Sequence, residues 1–115
     1  ANVAKRVGSI GLVTDGGVRD VETVHGMGFQ MFAVGTVPAH GNFGLDETQV
    51  PVEVGGVLVN PGDVVHADEN GVVVFPPELA DYVISEAQKV TEREAAQFNW
   101  VLSDEFSLEE LIKRG

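Results

Sequence analysis

Arg19 and Asp20 stand side by side just past a glycine turn, and their side chains suit small-molecule chemistry. The arginine offers a planar fork of donors that matches a carboxylate. The aspartate can bind a hard divalent cation through one or two oxygens. Adjacent residues on a strand point to opposite faces, but in the first turn of a helix they can converge on one pocket, where free N–H groups favour an anion. Spacing alone equally allows a surface ion pair in which Asp20 is a helix N-cap. Asp15-Gly16-Gly17, just upstream, lets backbone approach a ligand closely, or is simply a turn that needs glycine dihedrals. It is not a dinucleotide fingerprint, because the spaced glycines of that motif do not follow.

The other reactive side chains are weaker candidates. His25, His40 and His66 lack partners at the three- or four-residue spacing of a helical metal pair and read as surface or loop residues. His40 draws interest because it sits in the loop Pro38-Ala39-His40-Gly41. Asp68 and Glu69 fall on a turn, where they either face water or reach a metal across a subunit interface. With no cysteine, thiolate metal sites, disulfides and thiol nucleophiles are excluded. Any metal is then held by carboxylate, imidazole or water, which favours magnesium or manganese. No nucleophile elbow is present for a serine hydrolase.

These residues sit in a chain of 115 residues, read as one domain over 1–115 with an ordinary apolar share of 43%. Eighteen acids against seven bases give a formal charge of −11, and fifteen of the acids lie at or after Asp46. Such a chain repels a phosphate backbone, so direct nucleic-acid binding is not expected. The acids read as a solvated surface in preference to a docking patch for a basic partner. No window supplies the ~18 consecutive apolar residues of a membrane helix, and no signal-like start is seen, so a cytoplasmic location is expected.

The elements that must position the pair follow from periodicity. Ile10 to Thr14 predicts a buried strand, Asp20 to His25 a short helix stopped by Gly26 and Gly28, and Phe29 to Val34 a second strand. Strand, helix, strand fits a parallel pair in an α/β layer. Gly35 to Val50 lacks periodicity and reads as a loop long enough to be functional. Between Val52 and Phe75, short valine-rich runs alternate with turns at Pro61-Gly62-Asp63 and Asp68-Glu69-Asn70-Gly71, which predicts a meander or small barrel-like layer. Asn70-Gly71 suits the positive φ values of a hairpin turn. After Pro76-Pro77 the period becomes helical, with Leu79, Val83, Ile84, Ala87 and Val90 on one face. Ser107 with Glu110 predicts a capping box opening a last helix that runs to Arg114 and ends at Gly115.

Gly11 to Asp20 resembles the core motif of the RraA-like family, which includes the 4-hydroxy-4-methyl-2-oxoglutarate aldolases. Pro51-Val52-Glu53-Val54-Gly55-Gly56, Pro61-Gly62-Asp63, Ala67-Asp68 and Gly71 to Pro76 form a second block in family order, with the Pro38-Ala39-His40 loop between the two. Together they span residues 11–76, more than half of the chain. The resemblance implies a swivelling α/β/β sandwich, assembled as a trimer or a multiple of one, with active sites between subunits. It implies a divalent metal, commonly magnesium with manganese as the alternative, that binds a small 2-oxo acid. Asp20 would anchor that metal directly or through its waters, and Arg19 would bind the keto acid and offset enolate charge. The reaction implied is cleavage of a 4-hydroxy-2-oxo acid to pyruvate, with oxaloacetate decarboxylation permitted by the same chemistry. No lysine motif argues for a Schiff base, so a Lewis acid is the physical requirement.

Two departures from the family pattern are visible. The aldolase-type pattern carries an acid three residues after the motif's aspartate, where this chain has Thr23, and Glu22 is one position early. Family members also carry a glycine-rich segment upstream of the arginine that helps form the substrate site, whereas eighteen residues precede Arg19 here. The expectation is therefore the C-terminal portion of such a protein, whose site is completed by an N-terminal fragment. The alternative function is a non-catalytic interaction module that regulates a ribonuclease, favoured slightly by the acidic surface and Thr23. A methyltransferase reading finds no glycine loop for a methyl donor.

Overall fold

The β-branched run after Ser9 forms strand β1, Gly11–Val13, and the run after Phe29 forms β3, Gln30–Phe32, in this computed structural model, which describes residues 1–42 and 44–114. The two strands pair in parallel with Leu12 opposite Met31, as a strand–helix–strand order predicts. The intervening helix α2 spans Val21–Gly26, and a short helix α1, Asn2–Arg6, precedes the first strand. Among the described residues four strands lie in parallel pairs and four in antiparallel hairpins, each sheet having two strands.

A glycine ends α2 for a specific reason. Gly28 takes φ +69°, and its N–H donates to the His25 carbonyl at 2.8 Å while the Phe29 N–H donates to the Val24 carbonyl at 3.4 Å. This is the Schellman arrangement, in which a left-handed residue satisfies the last helical carbonyls. The residues joined by the longer of these bonds are Val24 and Phe29. They are 7% and 3% exposed, the buried hydrophobics among the described residues. The Lys5 ammonium, donating to the Met27 carbonyl, covers the same helix end.

The valine-rich stretch forms two separate hairpins and not a meander: the expected turn at Asp68 to Gly71 closes one, Gly55-Gly56 closes the other, and Pro61-Gly62-Asp63 links them without pairing their strands. β5, Val52–Val54, pairs antiparallel with β6, Val57–Val59, through Gly55 and Gly56. Both glycines have positive φ, +58° and +81°, the requirement of a two-residue type I′ turn. The Pro61-Gly62 turn closes with the Asp63 N–H on the Asn60 carbonyl at 3.1 Å, and Gly62 has φ +95°. β7, Val64–Asp68, pairs with β8, Gly71–Phe75. There the expected turn differs. Gly71 has positive φ but Asn70 does not, because the Asp68 carboxylate accepts from the Asn70 and Gly71 N–H groups at 2.8 and 3.3 Å and holds an Asx turn instead. The hairpins leave Val57, Leu58 and Val73 more than half exposed.

A two-residue strand pair escapes the periodicity. β2, Gly17–Val18, pairs in parallel with β4, Gly35–Thr36, at the start of the stretch read above as loop. Two residues carry no period to detect.

The chain divides into two compact units, Ala1–Pro76 and Pro77–Gly115. The second begins with a 3₁₀ turn at Pro77–Leu79, then helix α3, Ala80–Val101, and α4, Leu108–Arg114. Trp100 meets Phe106 edge-on at 5.2 Å, and the Arg114 guanidinium lies 4.2 Å from the Trp100 ring centre, tying the two helices together. Half of the expected capping box forms. The Ser107 hydroxyl accepts from the Glu110 N–H at 3.2 Å, but the Glu110 carboxylate turns forward to Arg114 at 3.3 Å. The expected stop at Gly115 lies outside the described residues. Among the described residues no helix is long and apolar enough to cross a membrane.

Candidate active site

The turn after β1 delivers the candidate pair. The Thr14 hydroxyl accepts from the Gly16 N–H at 3.0 Å and shapes the bend into β2. A Cβ at Gly17 would sit 2.4 Å from Val37 Cγ1, so any larger residue there forces the Val37 side chain or the strand to shift. That close approach lets β2 and β4 run together, and the Val37 N–H continues the ladder onto the Val18 carbonyl at 2.9 Å. The consequence is a cleft of about 420 Å³ lined by Arg19, Asp20, Val21, Thr36, Val37 and Pro38.

Arg19 and Asp20 do converge on this one cleft, and they also bond to each other. Arg19 Nε lies 3.1 Å from Asp20 Oδ2, and a second guanidinium nitrogen lies 3.3 Å from Oδ1. Their side chains are 41% and 58% exposed, so the pair adds little to stability. It does hold both groups at the cleft with donors and oxygens still accessible. Asp20 occupies the N-cap position of α2, and its carbonyl accepts from the Val24 N–H at 2.9 Å. Its carboxylate makes no capping bond, so the structural alternative of a side-chain cap is not realised. The residue instead adopts φ 57°, ψ 34°, a left-handed conformation that costs a non-glycine residue on the order of 1 kcal/mol. With six residues, α2 contributes little of the anion field expected at its start.

The remaining candidates lie elsewhere. Asp15 Oδ2 accepts the Gly55 N–H at 3.1 Å, so its role is to tie the turn after β1 to the β5–β6 hairpin. Asp68 is a turn residue. The Asn70 backbone N–H, followed by the Asn70 side chain and the Gly71 N–H, lowers its pKa below the ordinary 3.8. Asp68 and Glu69 line two broader grooves, of about 830 and 880 Å³, not the Arg19–Asp20 cleft. His25 ends α2, His66 lies within β7 opposite Val73, and His40 Nδ1 is 2.9 Å from the Gly41 carbonyl oxygen. Among the described residues no three His, Asp or Glu side chains gather as a ready-made metal cage. Thr36 was not singled out by its type or spacing. The signal that could have found it is the β-branched Thr36-Val37 pair directly after Gly35, a strand fragment too short to read as one.

The fold and motif correspond to known proteins. The RraA-like family profile, described as Aldolase/RraA, matches residues 1–74, and the chain belongs to that family. Its α/β fold is shared with RraAS2 of Streptomyces coelicolor, a solved structure titled as an unusual member of the RNase ES inhibitor RraA family. That likeness has a TM-score of 0.67 at 34% identity and covers 84% of this chain and 50% of that one. A provisionally named 4-hydroxy-4-methyl-2-oxoglutarate aldolase of Halalkalibacterium halodurans is 35% identical over 88 residues, 76% of this chain and 42% of the relative. An uncharacterised protein of Methanocaldococcus jannaschii is 41% identical over 92 residues, 79% of this chain and 44% of its own length. The chain therefore spans less than half the length of these curated relatives. The family holds both aldolase-named members and ribonuclease inhibitors.

Proposed function

We propose that this chain carries the Arg19–Asp20 half of a divalent-metal-dependent aldolase site that cleaves a 4-hydroxy-2-oxo acid to pyruvate. The observation that carries this reading is Asp20, which holds a left-handed backbone and leaves its carboxylate beside the Arg19 guanidinium in an open cleft. An ordinary surface pair has no reason to bear that strain.

The residues fit a hard cation of the magnesium type, with manganese as the alternative. Such an ion keeps several waters and needs one or two carboxylates plus substrate oxygens, so a single exposed aspartate suffices where a structural cage does not form. When bound, the ion would supply the Lewis acid that offsets enolate charge during C–C cleavage. Arg19 would take the substrate carboxylate on its planar fork, releasing part of its bond to Asp20. Oxaloacetate decarboxylation needs the same two groups. The apolar side chains left exposed on β5 to β8 support an assembly in which further polypeptide, from a trimer or an N-terminal portion of the fold, covers them.

Pyruvate release from 4-hydroxy-4-methyl-2-oxoglutarate, measured with magnesium and after chelation, tests the reading in the full protein. Magnesium-dependent release that is lost in Arg19→Ala and Asp20→Asn is expected. Release that is indifferent to both substitutions overturns it.

A second reading is regulation of a ribonuclease by contact. It is favoured by the likeness to the RNase ES inhibitor family member and by the charge of −11, which suits a basic partner surface. Capture of such an endonuclease that weakens steeply between low and high salt would support it, and salt-indifferent or absent capture would count against it.

A further inference from the structure

We infer that Thr36 is the residue that reads the C4 hydroxyl of the substrate. The inference rests on the aldolase reading of the Arg19–Asp20 cleft and goes beyond it by assigning substrate selectivity to a third side chain. The cleft has six lining residues. Two are charged and suit the carboxylate and the cation, while the side chains of Val21, Val37 and Pro38 offer no hydrogen bond. Thr36 is the uncharged hydrogen-bonding side chain among them, and its hydroxyl engages no other described residue. Its backbone is fixed by the β2–β4 ladder, where Thr36 sits opposite Val18, the residue just before Arg19.

A 4-hydroxy-2-oxo acid presents a C1 carboxylate, a keto oxygen and a C4 hydroxyl along one short chain, to which the oxoglutarate types add a distal carboxylate. Its carboxylate and keto oxygen fit the guanidinium and the cation. The hydroxyl that remains can both donate and accept, and a threonine hydroxyl can answer either role, whereas the guanidinium only donates and the carboxylate only accepts and both are already engaged with the other groups. The β-branched side chain has few χ1 rotamers, so its hydroxyl is presented with little loss of freedom.

The test compares binding of 4-hydroxy-2-oxoglutarate and 2-oxoglutarate, which differ by this hydroxyl, to the full protein with magnesium by titration calorimetry or ligand-observed NMR. The wild type should favour the hydroxylated acid by about three- to ten-fold, the range of one net hydrogen bond between neutral groups. Thr36→Val keeps the branched shape and the strand and should abolish the preference without weakening 2-oxoglutarate. Thr36→Ser should keep it. A wild type that binds both acids equally, or a preference that survives Thr36→Val, overturns the assignment while leaving the aldolase reading intact. Failure of both acids to bind overturns the aldolase reading and this inference with it.

Discussion

The Gly55 N–H donates to Asp15 Oδ2 at 3.1 Å across a separation of 40 residues, joining the turn after β1 to the tip of the β5–β6 hairpin. Gly55 has φ +58°, so the hairpin turn presents its N–H outward for this bond. Asp15→Ala should therefore release the hairpin tip and cost about 1 kcal/mol, the usual net worth of one hydrogen bond. Faster amide exchange at Gly55, with the β7–β8 amides unaffected, is the expected result. Unchanged exchange at Gly55 would show that the tip is held by other means.

Asp20 separates stability from function. Asp20→Gly removes the penalty of a left-handed side-chain-bearing residue and should raise stability or leave it unchanged, with a gain up to about 1 kcal/mol. The same substitution removes the carboxylate and should lower aldolase activity at least 100-fold, a loss typical of a group that acts on developing charge. Asp20→Asn, which tolerates the same backbone, should also fold normally and lose activity. Thermal melts paired with pyruvate assays check both. A large fall in melting temperature for the glycine variant would contradict the strain assigned here.

Gly17 carries the ladder that forms the cleft. Gly17→Ala places a methyl 2.4 Å from Val37 Cγ1 and should destabilise by about 1–3 kcal/mol, as overpacking does. Combining it with Val37→Ala removes the clashing methyls and should recover part of the loss. A double-mutant cycle that shows simple additivity would rule out this contact as the cause.

The β7–β8 turn should respond to acid. The hydrogen bonds from Asn70 and Gly71 depress the Asp68 pKa below 3.8 in the folded state, so its contribution is complete above that value and is lost as pH falls through the lower folded one. Amide shifts of Asn70 and Gly71 should accordingly move below pH 3.8 and stay flat above it. In Asp68→Asn, which keeps an acceptor oxygen but cannot titrate, the movement should vanish.

Much of the molecule is legible in its residue order. The apolar runs at Ile10 to Thr14 and Phe29 to Val34 and the helix between them dictate a parallel pair. Gly28 at a helix end dictates a left-handed stop, and Asp68-Glu69-Asn70-Gly71 a tight turn between two valine-rich strands. Each is a local preference of backbone or of periodic burial, which a few neighbouring residues specify. The motif at Arg19-Asp20 is equally local, and so is the family it marks.

What the tertiary structure alone decided is the company those two residues keep. Thr36 reaches their cleft through a strand pair two residues long, and Asp15 reaches Gly55 from 40 positions away. The capping box at Ser107 fails in its second half because Arg114, one turn on, offers the Glu110 carboxylate a charged partner. Such outcomes depend on register and on competition between partners in space. A side chain's type states what it can bond to, and only the folded chain determines which partner lies within reach.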